Sequence, residues 1–372
     1  MEALNNIVIL HHLHDAAVEN VPPPPPRRYL PRVARIRDDP FTLPDREFKR
    51  HFRFTKQSVR RLSAMLQLQV GPRPGKPLTD LQRLCIALHH FGSKNFIRTS
   101  GNCGKVSYNA AWRAVDSVRD ALVALAPRVI RLPTDAEAQE TANRMEQRYG
   151  LPGFAYGVDG MIVFFDNKVK GLPRGPGLAN QNSFHTRKGR YGINAMFVAN
   201  DRKLIHALDV EWHGAAHDSR VWRLSLVRHL IEERPQFLLA GDSGYPISHV
   251  LMTPYSARER QGDPLKTRFN SRHSGLRTRM TENVYADLKN RWQCLKDLRC
   301  HYDNAKKTIV ACAVLHNLSV MWADGFDFDD AEPERAQPLQ VPVPFHEEQA
   351  NPAEVRRLGQ ERRRQLLAVM RR

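Results

Sequence analysis

The chain changes its hydrophobic period near residue 150. Between Pro40 and about Leu125, apolar residues recur three and four positions apart, the spacing that gives a helix one buried stripe. Thr55 precedes Val59, Leu62 and Leu66, and Thr79 precedes Leu81, Leu84, Cys85 and Leu88. Ser107 precedes Trp112, Val115, Val118, Leu122 and Leu125. Each leading hydroxyl suits an N-cap, so the pattern predicts helices over 55–66, 79–91 and from 107 onward. Gly92-Ser93 and a loop containing Gly101 and Gly104 separate them. That layout fits a helix-turn-helix, and it fits any small bundle equally well. Arg98, Lys105, Arg113 and Arg119 are the basic residues a DNA-binding version would use. An acidic helix over 135–147 then acts as a connector.

After Phe154 the period shortens. Residues 156–165, 191–198 and 203–212 read as three strands of an antiparallel meander, with a turn at Asn200-Asp201-Arg202. A helix carrying Val221, Leu224, Val227, Leu230 and Ile231 follows, then a short buried strand over 237–240. The stretch up to Arg279 is basic and reads as irregular. Val284, Leu288 and Trp292 mark an amphipathic helix opened by Glu282, and a very apolar helix runs from Asn304 to about Trp322. The order β-β-β-α-β-α-α predicts an α/β fold, a mixed sheet with helices on its faces.

Both ends read differently from this middle. Residues 1–39 hold Pro22 to Pro26 and a following series of arginines, a Pro/Arg-rich disordered tail. Residues 323–372 turn acidic and Pro-rich, then basic, a second tail with room for a terminal helix. Between the tails, 40–150 is a helical, candidate DNA-binding domain with its connector, and 151–322 is the α/β domain.

Composition narrows the partner. The 372 residues carry 57 Lys+Arg against 39 Asp+Glu, a formal charge of +18 that suits a polyanion such as DNA. No stretch is apolar enough to span a membrane, and no secretory signal is evident. Five scattered cysteines make neither a Cys-x-x-Cys pair nor a disulfide framework, which fits a reducing intracellular compartment.

Three acidic residues stand against this background. Asp159 interrupts a β-prone run, Tyr156 to Phe165, where an unpaired carboxylate is costly and normally faces a cation or strong donor. Asp242 lies where the apolar run 237–240 ends, between Gly241 and Gly244, at a strand exit of the kind that carries ligand groups in open sheets. Glu282 occupies the first turn of its helix. Taken singly, Asp242 is a turn-capping carboxylate and Glu282 a solvated acid favoured by the helix dipole. His217 reads as a structural neighbour of Asp218, and Asp218 as an N-cap.

Seven motifs in order carry a resemblance: Gly157-Val158-Asp159-Gly160; Arg187-Lys188-Gly189; Trp212-His213-Gly214 through His217-Asp218-Ser219-Arg220; Gly241-Asp242-Ser243-Gly244-Tyr245-Pro246; Phe269-Asn270-Ser271-Arg272-His273-Ser274; Glu282; and Ala311 through Asn317. The series, over about residues 40–320, resembles the PIF/Harbinger-type DDE transposases and the nucleases derived from them. The resemblance implies a ribonuclease-H-like domain with a DDE triad at Asp159, Asp242 and Glu282, and Asp218 as an additional metal-reaching carboxylate. It implies divalent metal, Mg²⁺ or Mn²⁺, because two such ions can activate the attacking oxygen and stabilise the leaving one. It also implies DNA as partner, a Myb/SANT-like companion protein, and a nuclear and cytoplasmic location, with oligomeric state open. The family commonly has a histidine shortly after its first aspartate, and here Met161 and Ile162 fill that region. Arg187, Lys188, Arg268, Arg272, His273, Arg277 and Arg279 are the expected nucleic-acid contacts. A catalytically silent DNA-binding or interaction protein with the same fold is the alternative reading.

Overall fold

In the computed structural model, the described residues are 39–68, 78–172, 180–325 and 352–370. The Pro/Arg-rich tail up to residue 38 and the acidic stretch 326–351 lie outside them. Hydroxyl caps set most of the early helix starts. The first helices are α1 (Asp45–Phe52), α2 (Lys56–Leu66) and α3 (Asp80–Phe91). Thr55 accepts from the Ser58 amide, and Thr79 forms a reciprocal box with Gln82. Next come α4 (Ile97–Cys103) and α5 (Tyr108–Val129), the latter opened by Ser107. The expected loop around Gly101 is therefore helical. Gly101 belongs to α4 because a Cβ there would stand 3.1 Å from the Ala111 Cβ, so its absence lets α4 close onto α5. The connector is α6 (Asp135–Tyr149), with a Thr134/Glu137 capping box.

The sheet follows. Its strands are β1 (Phe154–Phe164), β2 (Gly192–Ala199) and β3 (Ile205–His213). After them come α7 (Asp218–Leu224) and α8 (Leu226–Glu232), then β4 (Leu238–Ala240) and β5 (Leu251–Met252). The strand order is β3-β2-β1-β4-β5: the first three form the expected antiparallel meander, while β4 and β5 run parallel to β1. The single helix expected over 221–231 is two, because Ser225 is extended and caps α8 through the Val227 amide.

The larger correction lies between β5 and Glu282. The basic stretch is helical: α9 (Ala257–Arg260) and α10 (Pro264–Met280), capped by Asp263 on the Leu265 and Lys266 amides. α11 (Glu282–Arg291) follows after a sharp turn at Thr281, and α12 (Tyr302–Met321) closes the fold. The terminal helix α13 (Pro352–Val369) packs on β5 and α10. Its Arg363 is buried against the Tyr255 ring, donates to the Thr253 and Pro254 carbonyls, and pairs with Glu259.

Two apolar layers sandwich the sheet. Met161, Val163, Ile193, Ala195 and Phe197 face α5, α11 and α12, and that cluster runs on without a break into α1–α4. Val158, Met196 and Val198 face α6, α7 and α8. Consecutive β2 residues alternate between the two clusters, as the pleat requires. Every β2 residue is buried, so a polar side chain there without a partner within the protein is costly.

Candidate active site

The parallel register of β1 on β4 places the first two carboxylates. Gly157 pairs with Ala240, so Asp159 lies two residues further along β1 and Asp242 two residues past the end of the adjacent β4, close enough for its charge to act on Asp159. Glu282 arrives from the other direction as the first residue of α11. Gly157 permits this approach, because a Cβ there would meet Met280 Cβ at 2.6 Å and Thr281 Cγ2 at 2.8 Å. Gly160 does the same for the fourth carboxylate. A Cβ at that position would lie 2.2 Å from Asp218 Oδ1 and 2.7 Å from Asn194 Oδ1. The Gly-Val-Asp-Gly motif thus keeps two gaps, one on each side of Asp159.

One guanidinium joins the cluster. Arg277, in the last turn of α10, donates through Nη1 to Asp159 Oδ2 at 3.0 Å and through Nη2 to Glu282 Oε1. The other oxygens are also engaged: Gly160 N–H donates to Asp159 Oδ1 at 2.8 Å, and Thr278 Oγ1 to Glu282 Oε2 at 3.3 Å. Tyr285 Oη donates to the Asp159 carbonyl at 2.6 Å, fixing the β1 backbone. Gly244 N–H donates to Asp242 Oδ1 at 2.8 Å. Asn194 Nδ2 donates to Asp218 Oδ1 at 2.9 Å and to the Ala216 carbonyl at 3.0 Å.

The electrostatics are those of acids crowded out of water. Burial raises Asp159 to about 8, with Arg277 pulling it down and Asp242 and Asp218 pushing it up. Burial raises Asp218 to about 6, opposed by its Asn194 bond and aided by the Asp242 charge. Two buried polar atoms in this cluster have no partner, Tyr245 Oη and Asn194 Oδ1. Tyr245 is held well above its ordinary range by burial and by the charges of Asp218, Asp159 and Asp242. An all-oxygen set short of positive charge, with orphaned polar atoms, fits a hard divalent cation. Among the described residues, no three His, Cys, Asp or Glu side chains stand as a preformed metal cage. The guanidinium of Arg277 lies between Asp159 and Glu282 instead.

The basic residues divide. Arg187 and Lys188 are exposed, and Arg187 bonds His217 beside Asp218, so Arg187 flanks the carboxylates. Arg268 is exposed on α10, Arg279 is half-buried, and Arg272 packs on Gly150, where a Cβ would meet its Nη1 at 2.5 Å. His273 does not face a ligand. It is 1% exposed, bonded through Nε2 to the Met252 carbonyl at 3.0 Å and stacked on Phe269, and burial lowers it to about 4. Arg277 likewise points to carboxylates rather than outward. Asn194, Tyr245, Thr278 and Tyr285 escaped the sequence reading. Asn194 had a usable signal, since it interrupts an apolar strand as Asp159 does.

Residues 158–317 match the family model described as DDE superfamily endonuclease. The matched span takes in Asp159, Asp218, Asp242 and Glu282 and ends at Asn317 of α12, leaving α1–α6 and α13 outside it. The chain is also similar to "Putative nuclease HARBI1" of Homo sapiens, 30% identical over 241 residues, 63% of this chain and 65% of that one. The Bos taurus protein of the same name is 29% identical over 64% of this chain and 66% of its own length. The chain therefore spans just under two thirds of these relatives. "Protein ALP1-like" of Arabidopsis thaliana is 23% identical over 74% of this chain and 71% of that one. No solved structure matches.

Proposed function

We propose that the protein is a divalent-metal-dependent DNA endonuclease, with Asp159, Asp242 and Glu282 as its triad and Asp218 as an accessory acid. The observation that carries this is the convergence of Asp159 of β1 and Glu282 of α11 on one guanidinium, with the charge of Asp242 from just past β4 acting on Asp159, in the endonuclease-like segment. The strand order 3-2-1-4-5, with only β2 antiparallel to both neighbours, supports a ribonuclease-H-like reading. The nuclease-named relatives support the reaction class.

Bound Mg²⁺ or Mn²⁺ would supply Lewis acidity and an activated water. Asp159, Asp242 and Glu282 would hold it; all three are partly open to solvent, so a phosphate can reach them. Tyr285 holds the Asp159 backbone in place, and Asn194 does the same for the Asp218 carboxylate. Arg187, beside Asp218, would draw a phosphate backbone toward acids that otherwise repel it, and the exposed Lys188 next to it in sequence would add to that pull. The +18 charge supplies long-range attraction to DNA. The test is supercoiled plasmid with Mg²⁺ or Mn²⁺: the protein should nick it, chelator should stop it, and Asp159→Asn or Glu282→Gln should abolish it. Nicking unaffected by either substitution would refute the assignment.

A further inference from the structure

Resting on that reading, one arrangement goes beyond it: the two carboxylates Asp159 and Glu282 have no oxygen left over. Asp159 Oδ1 is taken by the Gly160 amide and Oδ2 by Arg277. Glu282 Oε1 is taken by Arg277 and Oε2 by Thr278. The amide bond comes from a fixed backbone, and the Thr278 bond is the longest of the four. The guanidinium is the strong, displaceable partner, and it sits where a cation shared by the two acids would sit.

We infer that Arg277 is a resident counter-ion of the metal-free site, and that divalent metal loads by displacing it from Asp159 and Glu282. Three observations support a stand-in rather than a permanent strut. The first is charge: one guanidinium faces Asp159, Glu282 and the field of Asp242, so it offsets repulsion without cancelling it. The second is geometry. A planar fork bridging two carboxylates from different elements does a dication's positioning work with a single charge. The third is anchoring. The Thr281 amide and Thr281 Oγ1 both bond the Arg277 carbonyl at 2.9 Å, so the backbone stays fixed when the side chain leaves its carboxylates. The arrangement holds Asp159 and Glu282 together when metal is scarce, and it weakens metal binding as a consequence.

The test is direct Mn²⁺ binding, read from the loss of the free-ion electron paramagnetic resonance signal, with no substrate and no turnover. Arg277→Gln should bind Mn²⁺ at least about tenfold more tightly than the natural protein, a typical coupling between two competing ligands. Its melting temperature without metal should fall, and saturating Mn²⁺ should recover most of the loss. Arg277→Lys keeps the charge but not the bidentate span, so it should fall between the two; it carries the test if the Gln variant does not fold. Equal or weaker Mn²⁺ binding by both variants overturns the inference while leaving the metal site standing. No binding by any of the three proteins, or binding unchanged in Asp242→Asn, overturns the site reading along with it.

Discussion

Two buried asparagines show how differently this fold treats polar groups. Asn317 on α12 and Asn194 on β2 are 1% and 2% exposed. Asn317 is fully used: Oδ1 accepts from the Ile205 amide at 2.9 Å, and Nδ2 donates to the Ile205 and Val129 carbonyls at 2.7 and 3.2 Å. Its neighbour His316 donates through Nε2 to the Lys203 carbonyl at 2.8 Å. Asn194 bonds Asp218 and Ala216 through its amine, while its Oδ1 has no partner, and Tyr245 Oη in the same acidic cluster has none either. A satisfied polar cluster is architecture, here tying α12 and α5 to the β3 edge. A cluster left unsatisfied and negative forgoes stability for a ligand that is still to come.

The sharpest break of the comparison comes from the acids. Asp242→Asn should lower metal-dependent plasmid nicking by about 100-fold or more while the melting curve hardly moves, because the side chain keeps its shape and its Gly244 bond. Asn317→Ala should do the opposite. It strands Ile205 and Val129 backbone groups inside the core and should cost about 2–4 kcal/mol in urea unfolding, with nicking per folded molecule unchanged. Asn194→Ala should fall between the two. Nicking should drop about 10- to 100-fold through a misplaced Asp218, with a smaller stability loss than Asn317→Ala. If the two alanine variants behaved alike, the distinction between the clusters would fail.

The smallest effect is in pH, where the clusters carry opposite signs. Asp159 and Asp218 are raised to about 8 and about 6 when folded, against about 4 when unfolded. The folded state binds the extra protons, so their contribution is full below pH 4 and is lost as pH rises through 6 to 8. His316 is lowered to about 4 by burial, against about 6.5 unfolded, so its contribution is present above 6.5 and lost as pH falls toward 4. Melting of metal-free protein should show Asp159→Asn gaining on the natural protein between pH 6 and 8. His316→Gln should lose least relative to it near pH 4. Curves running parallel across both windows would contradict the assignment of either cluster.

Much of this site was legible because burial of charge is visible in a sequence. Asp159 inside an apolar run, Asp242 between glycines at a strand exit and Glu282 at a helix start each declare their positions. Asn194 declares itself in the same way, but as a neutral amide it carries no burial charge penalty to mark it. α10 was illegible for a physical reason: its buried positions Phe269, His273, Leu276 and Met280 are set among arginines, so no clean apolar stripe marks it. β5 is two residues long, below what periodicity can report. The inward turn of Arg277 was hidden too, since an arginine in a basic stretch reads as a phosphate contact until the carboxylate it meets, more than 100 positions away, is in place. The docking of α13 rests on buried Leu366 and Leu367 beside Arg363, and on Gly359, where a Cβ would collide with the Ser248 backbone at 2.8 Å.

The most direct test of the central claim is a crystal of the metal-free protein soaked in Mn²⁺ and measured for anomalous scattering. The account predicts at least one Mn²⁺ peak within coordination distance of Asp159 and of Asp242 or Glu282, with the Arg277 side chain withdrawn from Asp159. Full Mn²⁺ exposure with no peak among these carboxylates, and Arg277 still bridging Asp159 to Glu282, would contradict it.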